Sequence, residues 1–303
     1  MIFAADWRGG AAFALLATAG CVPAGGHESG PAPPPAAVPV PSPSPPQPAR
    51  HDLVLSGAAE QGAVVTGRVS PGVRSLTLDG APVPVARDGG FLIGFDRDAG
   101  PEAELVATFA DGQRIVRPIV VAAGRWRIEH VGAPWRGSAK SDAEFARRRP
   151  AELAQIAAAR AREVESDGWR QAFRWPVTGR LSGLFGSQRV YQGKPGAYHS
   201  GTDIAVPAGT PFVAHADGVV TLAAETPFTL EGHLLIVDHG MGLSSAFLHC
   251  QRLEVKLGDR VVQGQRLGTV GRTGRATGPH MHWGLSWRGK RLDPGKLAGP
   301  MRD

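Results

Sequence analysis

The chain has 303 residues, with 33 Lys or Arg against 27 Asp or Glu, and a formal net charge of +6 at pH 7. This length accommodates two modest domains with connectors, and the scattered basic residues carry no recognition motif, which argues against a nucleic-acid partner. The two cysteines, Cys21 and Cys250, exclude a disulfide framework and a thiolate metal site.

An apolar segment, residues 11–20, stands near the start of the chain and follows one basic residue, Arg8. It is too short to span a bilayer and has the length of a signal-peptide core ending in small residues. Its end at Cys21 resembles a bacterial lipobox, which implies cleavage before Cys21 and lipidation of the thiol. An ordinary secretory cleavage and a misplaced start are the alternatives, since Thr18 stands where a lipobox has Leu. We expect a signal peptide over 1–20.

Residues 21–50 are mostly Pro, Ala, Gly and Ser. Such a composition cannot bury a core and predicts a disordered, polyproline-like tether. A tether directly after a lipidated cysteine lets a folded domain stand off a membrane surface. We therefore expect a bacterial lipoprotein, exported to the periplasm or cell envelope and anchored to the outer membrane through Cys21.

Residues 51–123 are predicted to form a small β-domain. Apolar segments bounded by turn residues predict six strands, at 54–55, 62–67, 75–78, 91–95, 104–109 and 117–121. Their number and spacing predict an immunoglobulin-like β-sandwich. No cluster of catalytic residue types lies in this segment, so a binding role and a spacing role both stay open.

Residues 124–168 are predicted to be a connector with one helix, at 142–167. Ser141 with Glu144 three residues later resembles a capping box, and Gly168 is the expected stop. Pro150 is predicted to break or restart the helix. The thin apolar stripe favours a helix packed on a domain, with a partner-binding helix as the alternative.

The last segment, residues 169–303, consists of short strands separated by glycines, for which antiparallel sheet is the economical interpretation. Cys250 in this segment is interpreted as a buried thiol rather than a nucleophile, because it alternates away from His249 in a regular strand. The whole chain is thus predicted to be mainly β with a short helical connector.

Three separated pieces of this segment supply side chains for metal chemistry. His280 and His282 lie one residue apart and share a face if the segment is extended. His199 precedes Asp203 by four residues, and His249 stands alone between the two pieces. Two histidines and one carboxylate with one open position are the pattern of a catalytic zinc site, which leaves two histidines over.

These landmarks resemble peptidase family M23, the lysostaphin-like or LytM-type zinc metallopeptidases. The chain has a His-x-x-x-Asp motif, a later lone His and a His-x-His motif in that order, with a Trp-Pro-Val-x-Gly opening at Trp175. An Asp-His-Gly turn at 238–240 and a Thr-Gly-Pro-His segment ending at His280 also match. The resemblance covers about 175–297 and implies an antiparallel β metallopeptidase domain over 169–303, with Zn2+ as cofactor.

The resemblance assigns a role to each of these residues. It implies His199, Asp203 and His282 as zinc ligands, and His249 and His280 as the catalytic histidines that do not bind the metal. No His-Glu-x-x-His helix marks a glutamate as general base, so a histidine beside the metal takes that part. Which of the two accepts the proton of the water and which stabilises the oxyanion stays open.

The implied function is hydrolysis of peptide bonds in peptidoglycan stem peptides or cross-links, with a cross-link-cleaving D,D-endopeptidase as the first choice. The alternative is a catalytically silent LytM-type regulator or scaffold that activates other cell-wall hydrolases. The expected partners are the peptidoglycan peptide and the membrane, without nucleic acid or an obligate protein partner. A further hypothesis is that the connector around 127–168 covers the groove, as inserted segments do in some relatives.

Overall fold

The computed structural model of the chain describes residues 30, 50–132 and 143–301. The predicted signal peptide, nearly all of the predicted tether and Cys21 lie outside the described residues, and so does Ser141 of the predicted capping box. Residues 49–303 form one compact unit. None of the helices in the described ranges has both the length and the apolar character that crossing a bilayer requires.

Two antiparallel sheets form from the segment predicted to be a β-sandwich. Its strands are β1 (Leu53–Ser56), β2 (Val64–Val69), β3 (Val73–Leu78), β4 (Ala81–Pro82), β5 (Gly90–Gly94), β6 (Glu102–Phe109) and β7 (Arg114–Val120). β1-β2-β5 make one sheet and β4-β3-β6-β7 make the other. Each of the six predicted strands has a counterpart, while β4 is too short to leave a pattern. This strand order favours an immunoglobulin-like sandwich, an assignment that stays a prediction.

The connector contains α1 (Ala143–Arg160) and a short 3-10 helix (Gly168–Arg170). The predicted break at Pro150 is wrong, because Pro150 lies inside α1 and the helix continues on both sides of it. The helix also ends at Arg160, earlier than the predicted end at 167, and Gly168 begins the 3-10 turn instead of stopping α1.

Tertiary contacts on both sides of Pro150 explain why α1 stays continuous. A proline inside a helix removes one backbone hydrogen bond and crowds the preceding turn, at a cost of about 3 kcal/mol. Just before it, Arg148 Nη2 donates to the carbonyl of Pro227 at 2.6 Å. Just after it, Glu152 Oε1 accepts from the backbone N–H of Thr229 at 2.8 Å. These bonds attach both halves of the helix to one loop, which offsets the cost of the proline.

The remaining strands build the predicted peptidase segment around a central antiparallel sheet. They are β8 (Ile128–Val131), β9 (Arg180–Gly183), β10 (Gln188–Tyr191), β11 (Lys194–Pro195), β12 (Gly201–Ala205), β13 (Pro211–Val213), β14 (Gly218–Ala223), β15 (His233–Asp238), β16 (Leu243–Cys250), β17 (Arg252–Leu253), β18 (Arg260–Val261), β19 (Arg266–Thr269), β20 (Met281–Trp287) and β21 (Lys290–Leu292), followed by α2 (Pro294–Ala298). The central sheet has the order β18-β14-β15-β16-β20-β12-β9, with β21 beside β20. The prediction of a mainly β, antiparallel domain is confirmed.

Two smaller sheets complete this part of the molecule. β13-β19-β17 form one, and β11-β10-β8 form the other. In the second, β8 comes from the predicted connector and pairs in parallel with β10, with Ile128 opposite Gln188. The connector therefore supplies a strand as well as a helix.

One hydrophobic core runs through both predicted domains. It includes Phe91 and Leu105 of the first segment together with Phe247 and Trp283 of the central sheet. All seven residues of β20 are buried, which fits its place between β12 and β16. Because the two segments share this cluster, the division into 51–123, 124–168 and 169–303 stays a prediction.

Helix α1 packs on the central sheet through few apolar side chains. Its buried Ile156 and Ala159 contact a small cluster that contains Phe228, Leu234 and Ile236. This arrangement explains the thin apolar stripe of the sequence, because only one edge of the helix faces the sheet.

Candidate metal centre

Strand pairing brings the predicted ligands together. Asp203 on β12 is the cross-strand partner of His282 on β20, and partners of this kind project from the same face of a sheet. His199 stands two residues before β12. Gly201 permits this approach, because a Cβ at that position would lie 2.6 Å from His282 Nε2.

The three ligand atoms form a tight triangle. His199 Nε2 lies 3.1 Å from Asp203 Oδ1 and 3.1 Å from His282 Nδ1, and His282 Nδ1 lies 2.8 Å from Asp203 Oδ1. A tetrahedral zinc ion with bonds of about 2.0–2.1 Å needs ligand atoms about 3.3–3.4 Å apart. The triangle therefore accommodates the ion after shifts of a few tenths of an ångström. Within residues 50–132 and 143–301, His199, Asp203 and His282 are the one group of three or more His, Cys, Asp or Glu side chains whose ligand atoms are close enough to hold a metal ion.

A second contact directs the ring of His199 toward the triangle. Its Nδ1 lies 3.1 Å from the carbonyl oxygen of Leu184. Because a carbonyl only accepts, Nδ1 is the donor, and the neutral ring therefore presents its Nε2 lone pair to Asp203 and His282. A backbone carbonyl that orients a histidine in this way is typical of metal ligands.

The charge states suit a divalent cation. Burial opposes ionisation of Asp203, but its contacts with His199 and His282 outweigh burial and hold the pKa of the carboxyl well below its ordinary range. Burial lowers the pKa of His282, which favours the neutral form that binds metals. Burial also acts against protonation of His199, yet Asp203 raises the pKa of that ring overall. Protons therefore compete with a metal ion at His199.

The two remaining histidines stand beside the triangle. The ring of His249 lies 4.9 Å from that of His280 and 6.3 Å from that of His282, between centroids. His280 Nε2 is 3.7 Å from Asp203 Oδ1. The Nδ1 atoms of His249 and His280 each donate to a carbonyl oxygen, that of Thr273 and that of Gly278 respectively, at 2.8 Å. In the neutral rings, Nε2 is then the atom that accepts a proton.

His249 has an unusual backbone conformation for a strand residue. Its φ is +62°, in the left-handed region that costs a residue with a side chain about 1–2 kcal/mol. The pairing of β15 with β16 shifts register at this point, and the His249 N–H donates to the carbonyl of Glu231 at 2.8 Å. The bulge re-aims the imidazole toward the other histidines, which strict alternation along β16 does not predict.

Cys250 follows this bulge and lies in the core. It is a free thiol with no exposed surface, and burial raises its pKa strongly. A thiol that stays protonated in the core is inert. This agrees with its interpretation as a buried thiol, although the strand around it is not regular.

A groove with a volume of about 480 Å³ opens over the metal triangle. One wall is the helix α1, through Arg149, Leu153, Ile156 and Arg160. The hypothesis that the connector covers the site stays a prediction, but α1 does border the groove. The arginines of the groove, which also include Arg275 and Arg291, were missed from the sequence. They come from separate segments without a shared motif.

The alternation of residues along β20 is a sequence signal that could have identified the floor of the groove. His282, Gly284 and Ser286 alternate along β20 and all line the groove. Period-two alternation away from a ligand histidine marks residues on the same face of the sheet.

Comparisons with known proteins match this geometry to a family. The sequence profile of peptidase family M23 matches residues 197–294, which contain the triangle and both flanking histidines. A crystal structure of a protein assigned to peptidase M23 from Pseudomonas aeruginosa superposes with a TM-score of 0.62 at 32% sequence identity, covering 80% of this chain and 96% of that chain. This chain belongs to peptidase family M23. The predicted family is confirmed. Membership of this metallopeptidase family and the ligand atoms of His199, Asp203 and His282 both indicate Zn2+ as the cofactor.

Two curated proteins are similar to parts of this M23 chain. Peptidoglycan DD-endopeptidase ShyA of Vibrio cholerae is 39% identical over 143 residues, which are 46% of this chain and 33% of the relative. Cell division protein DipM of Caulobacter vibrioides is 33% identical over 128 residues, which are 42% of this chain and 20% of the relative. The chain thus spans a third or less of the length of these curated relatives.

Proposed function

We propose that this M23 protein is a zinc-dependent endopeptidase that hydrolyses peptide bonds in peptidoglycan stem peptides or cross-links, with the D,D cross-link as the first choice. The observation that carries the proposal is the triangle of His199, Asp203 and His282, whose ligand atoms lie 2.8–3.1 Å apart, with His249 and His280 beside it. The name of the relative ShyA, a peptidoglycan DD-endopeptidase, supports the substrate class.

The residues of the site divide the chemistry between them. A zinc ion held by His199, Asp203 and His282 supplies polarisation of the scissile carbonyl and lowers the pKa of a water molecule to about 7. Burial lowers the pKa of His249 to about 4, so its ring is neutral at neutral pH and can accept a proton. His249 and His280 share proton acceptance and oxyanion stabilisation. Since both Nδ1 atoms donate to the carbonyls of Thr273 and Gly278, each neutral ring can accept a proton on Nε2. Once protonated, that Nε2 can donate a hydrogen bond to the oxyanion.

The alternative of a silent LytM-type regulator is less well supported. A regulator does not need a metal or a proton acceptor, whereas this chain keeps three ligand atoms in mutual contact. It also keeps two histidines whose tautomers are set by backbone carbonyls.

Digestion of purified sacculi tests the proposed function. The wild-type chain is expected to bind about one zinc ion per molecule and to release cross-link cleavage products that mass spectrometry identifies. Alanine at His199, Asp203 or His282 should remove zinc and activity together. Alanine at His249 or His280 should leave the zinc content unchanged and abolish turnover. A zinc-loaded wild-type protein that releases no products would contradict the proposal.

We also propose that the chain is exported and held at the outer membrane by a lipid on Cys21. The apolar segment 11–20, the small residues before Cys21 and the proline-rich segment 21–50 support this proposal. Labelling with radioactive palmitate followed by membrane fractionation tests it. The wild-type protein should carry label in the outer membrane, and Cys21→Ser should lose the label and become soluble. Label retained in Cys21→Ser would contradict the anchor.

A further inference from the structure

Two rows of side chains cross the groove face of the central sheet. The first row, here called the metal row, consists of three cross-strand partners on β12, β20 and β16: Asp203, His282 and Leu248. Partners in a second row lie on β21, β20 and β16: Arg291, Ser286 and Ser244. Within β20 the rows are four residues apart, which is an even number, so both project from one face. Four residues of strand separate them by about 13 Å.

The floor between these two rows has small side chains. Gly201, Gly284 and Ala246 are cross-strand partners on β12, β20 and β16. The nearest heavy atom to a Cβ built on Gly284 would be 3.7 Å away. A Cβ at Gly284 would thus make ordinary van der Waals contacts without a clash. The floor at Gly284 has no side chain and lines the groove, so an extended peptide backbone can lie along the sheet between the rows.

Two arginines from separate segments line the groove at the second row. Arg160, the last residue of α1, lines the groove together with Ser286 and Arg291. Among residues 50–132 and 143–301, no carboxylate lies within ion-pair distance of either guanidinium group. The guanidinium group of Arg291 lies 5.8 Å from the centroid of the Tyr198 ring. Both arginines are exposed to solvent, and partial burial and the charge of Arg291 both lower the pKa of Arg160. Two cations that line one end of the same groove favour a negatively charged ligand there.

The carboxylates near this pair are already engaged. Asp96 Oδ2 accepts from the backbone N–H of Arg291 at 2.8 Å, and Asp96 Oδ1 accepts from the Tyr198 hydroxyl at 3.4 Å. Glu231 attracts Arg160 at longer range, but Arg149 binds both of its oxygens at 2.6 and 2.8 Å. Asp203 belongs to the metal row. Arg160 and Arg291 therefore place positive charge at the end of the groove remote from the metal.

Hydroxyl groups line the same end of the groove. Ser244 Oγ and Ser286 Oγ are 3.1 Å apart, and both residues are 5% exposed. In such a pair one hydroxyl donates to the other, so the second retains a hydrogen for a ligand above it. The second row therefore combines two cationic donors with a hydroxyl donor.

We propose that Arg160 and Arg291, with Ser244 and Ser286 at the same end of the groove, bind a carboxylate of the substrate peptide about four extended residues from the scissile bond. The inference rests on the proposed function, because it takes the substrate to be a peptide cleaved at the metal row. Guanidinium groups match carboxylates with two parallel hydrogen bonds, which gives charge and orientation together. A side-chain carboxylate and the C-terminal carboxylate of the peptide share this chemistry.

The test compares hydrolysis of three synthetic cross-linked stem peptides. One has all of its carboxyl groups free, one has its side-chain carboxyls amidated, and one has its C-terminal carboxyl amidated. We expect amidation of the recognised group to lower the kcat/KM of the wild-type chain about tenfold. Arg160→Gln and Arg291→Gln should each lower kcat/KM for the peptide with free carboxyl groups by a similar factor. For the peptide in which the recognised carboxyl is amidated, both variants should have the same kcat/KM as the wild-type chain. Which amide is affected identifies the source of the carboxylate.

Arg147→Gln is the matched control, because Arg147 lies on α1 with its side chain exposed and away from the groove. It removes the same charge and should leave all three rates unchanged. Equal wild-type rates on the three peptides would overturn the carboxylate subsite. So would a loss of rate in Arg160→Gln and Arg291→Gln that is the same on free and amidated peptides.

A binding measurement separates this inference from the proposed function. The free-acid peptide, carrying a fluorophore, is titrated into zinc-loaded His249→Ala by fluorescence anisotropy. We expect Arg160→Gln in that background to weaken binding about tenfold. That result supports the subsite even if sacculi are not digested. Binding that neither arginine substitution changes overturns the subsite and leaves the sacculus result standing.

Discussion

Arg149 binds Glu231 through both terminal nitrogens of its guanidinium group, at 2.6 and 2.8 Å, and this pair joins α1 to the loop that holds His249. The backbone carbonyl of Glu231 accepts from the His249 N–H at 2.8 Å. The side chains of Arg149 and Glu231 are 17% and 11% exposed, so solvent screens the pair only weakly. The helix of the connector is thus linked to a residue of the site.

Glu231→Gln is predicted to lower the free energy of unfolding by about 1–3 kcal/mol, because it removes the bidentate partner of Arg149 and leaves only the longer contact with Glu152 Oε2, at 3.4 Å. Zinc content should stay near one ion per chain, while turnover falls because the loop beneath His249 loosens. Chemical denaturation and sacculus digestion measure the two effects. Glu129→Gln removes one partner of an exposed pair, since the side chains of Glu129 and Arg189 are 54% and 63% exposed, and should leave the free energy of unfolding nearly unchanged. Equal losses in the two variants would refute this account of the pair.

Gly284→Val is predicted to block the groove without harming the fold. A Cβ at Gly284 meets nothing closer than 3.7 Å, and valine suits a strand better than glycine. The added methyl groups occupy the floor between the metal row and the second row, so hydrolysis of sacculi should fall on the order of 10–100-fold. Zinc content and Tm should match the wild type. Gly100→Val, where a Cβ has an equally open environment, is the control, and full activity of Gly284→Val would show that substrate does not cross this floor.

His249→Asn separates the chemistry of His249 from its backbone. Asparagine tolerates the left-handed region better than other residues with side chains, so the φ of +62° should persist. Since an amide does not accept a proton at neutral pH, we expect turnover to fall about 100–10,000-fold with zinc retained. His249→Ala should lose the same activity and, in addition, about 1 kcal/mol of stability from the strained backbone. Wild-type turnover in His249→Asn would remove His249 from the mechanism.

The stability of the fold is predicted to depend on pH through Asp238. Burial raises the pKa of this carboxyl from 3.8 to about 6, with Glu163 adding to the effect and a hydrogen bond from the Gly240 N–H opposing it. Between about pH 4 and pH 6 the folded chain holds a proton that the unfolded chain has released. Stability from this group is therefore present at low pH and is lost as the pH rises, by about 3 kcal/mol in total.

Asp238→Asn should remove that pH dependence. The asparagine keeps an oxygen for the Gly240 N–H, which donates to Asp238 Oδ1 at 2.8 Å, and it cannot ionise. Relative to the wild type, the variant should gain about 3 kcal/mol between pH 4 and pH 7, measured by urea denaturation at several pH values. A difference between the two proteins that stays constant with pH would show that Asp238 does not titrate as described.

Much of the fold follows from local patterns in the chain. Six of the seven strands between residues 53 and 120 were predicted, because apolar residues alternate between turn signals such as Asp111-Gly112. The helix of the connector was predicted from its propensity, but its behaviour at Pro150 was not. Two side-chain contacts with a distant loop override the local effect of proline there, and such contacts have no sequence pattern.

The sequence by itself determined which side chains are available for the site, because short motifs with period-two and four-residue spacing mark His199, Asp203, His280 and His282. Only the tertiary structure decided that His199 and His282, 83 residues apart, lie within 3.1 Å of each other. It also decided the left-handed turn at His249 and the placement of Arg160 and Arg291 along the same groove. Strand order and a packed helix produce these contacts, and both depend on long-range pairing that no local stretch of chain specifies.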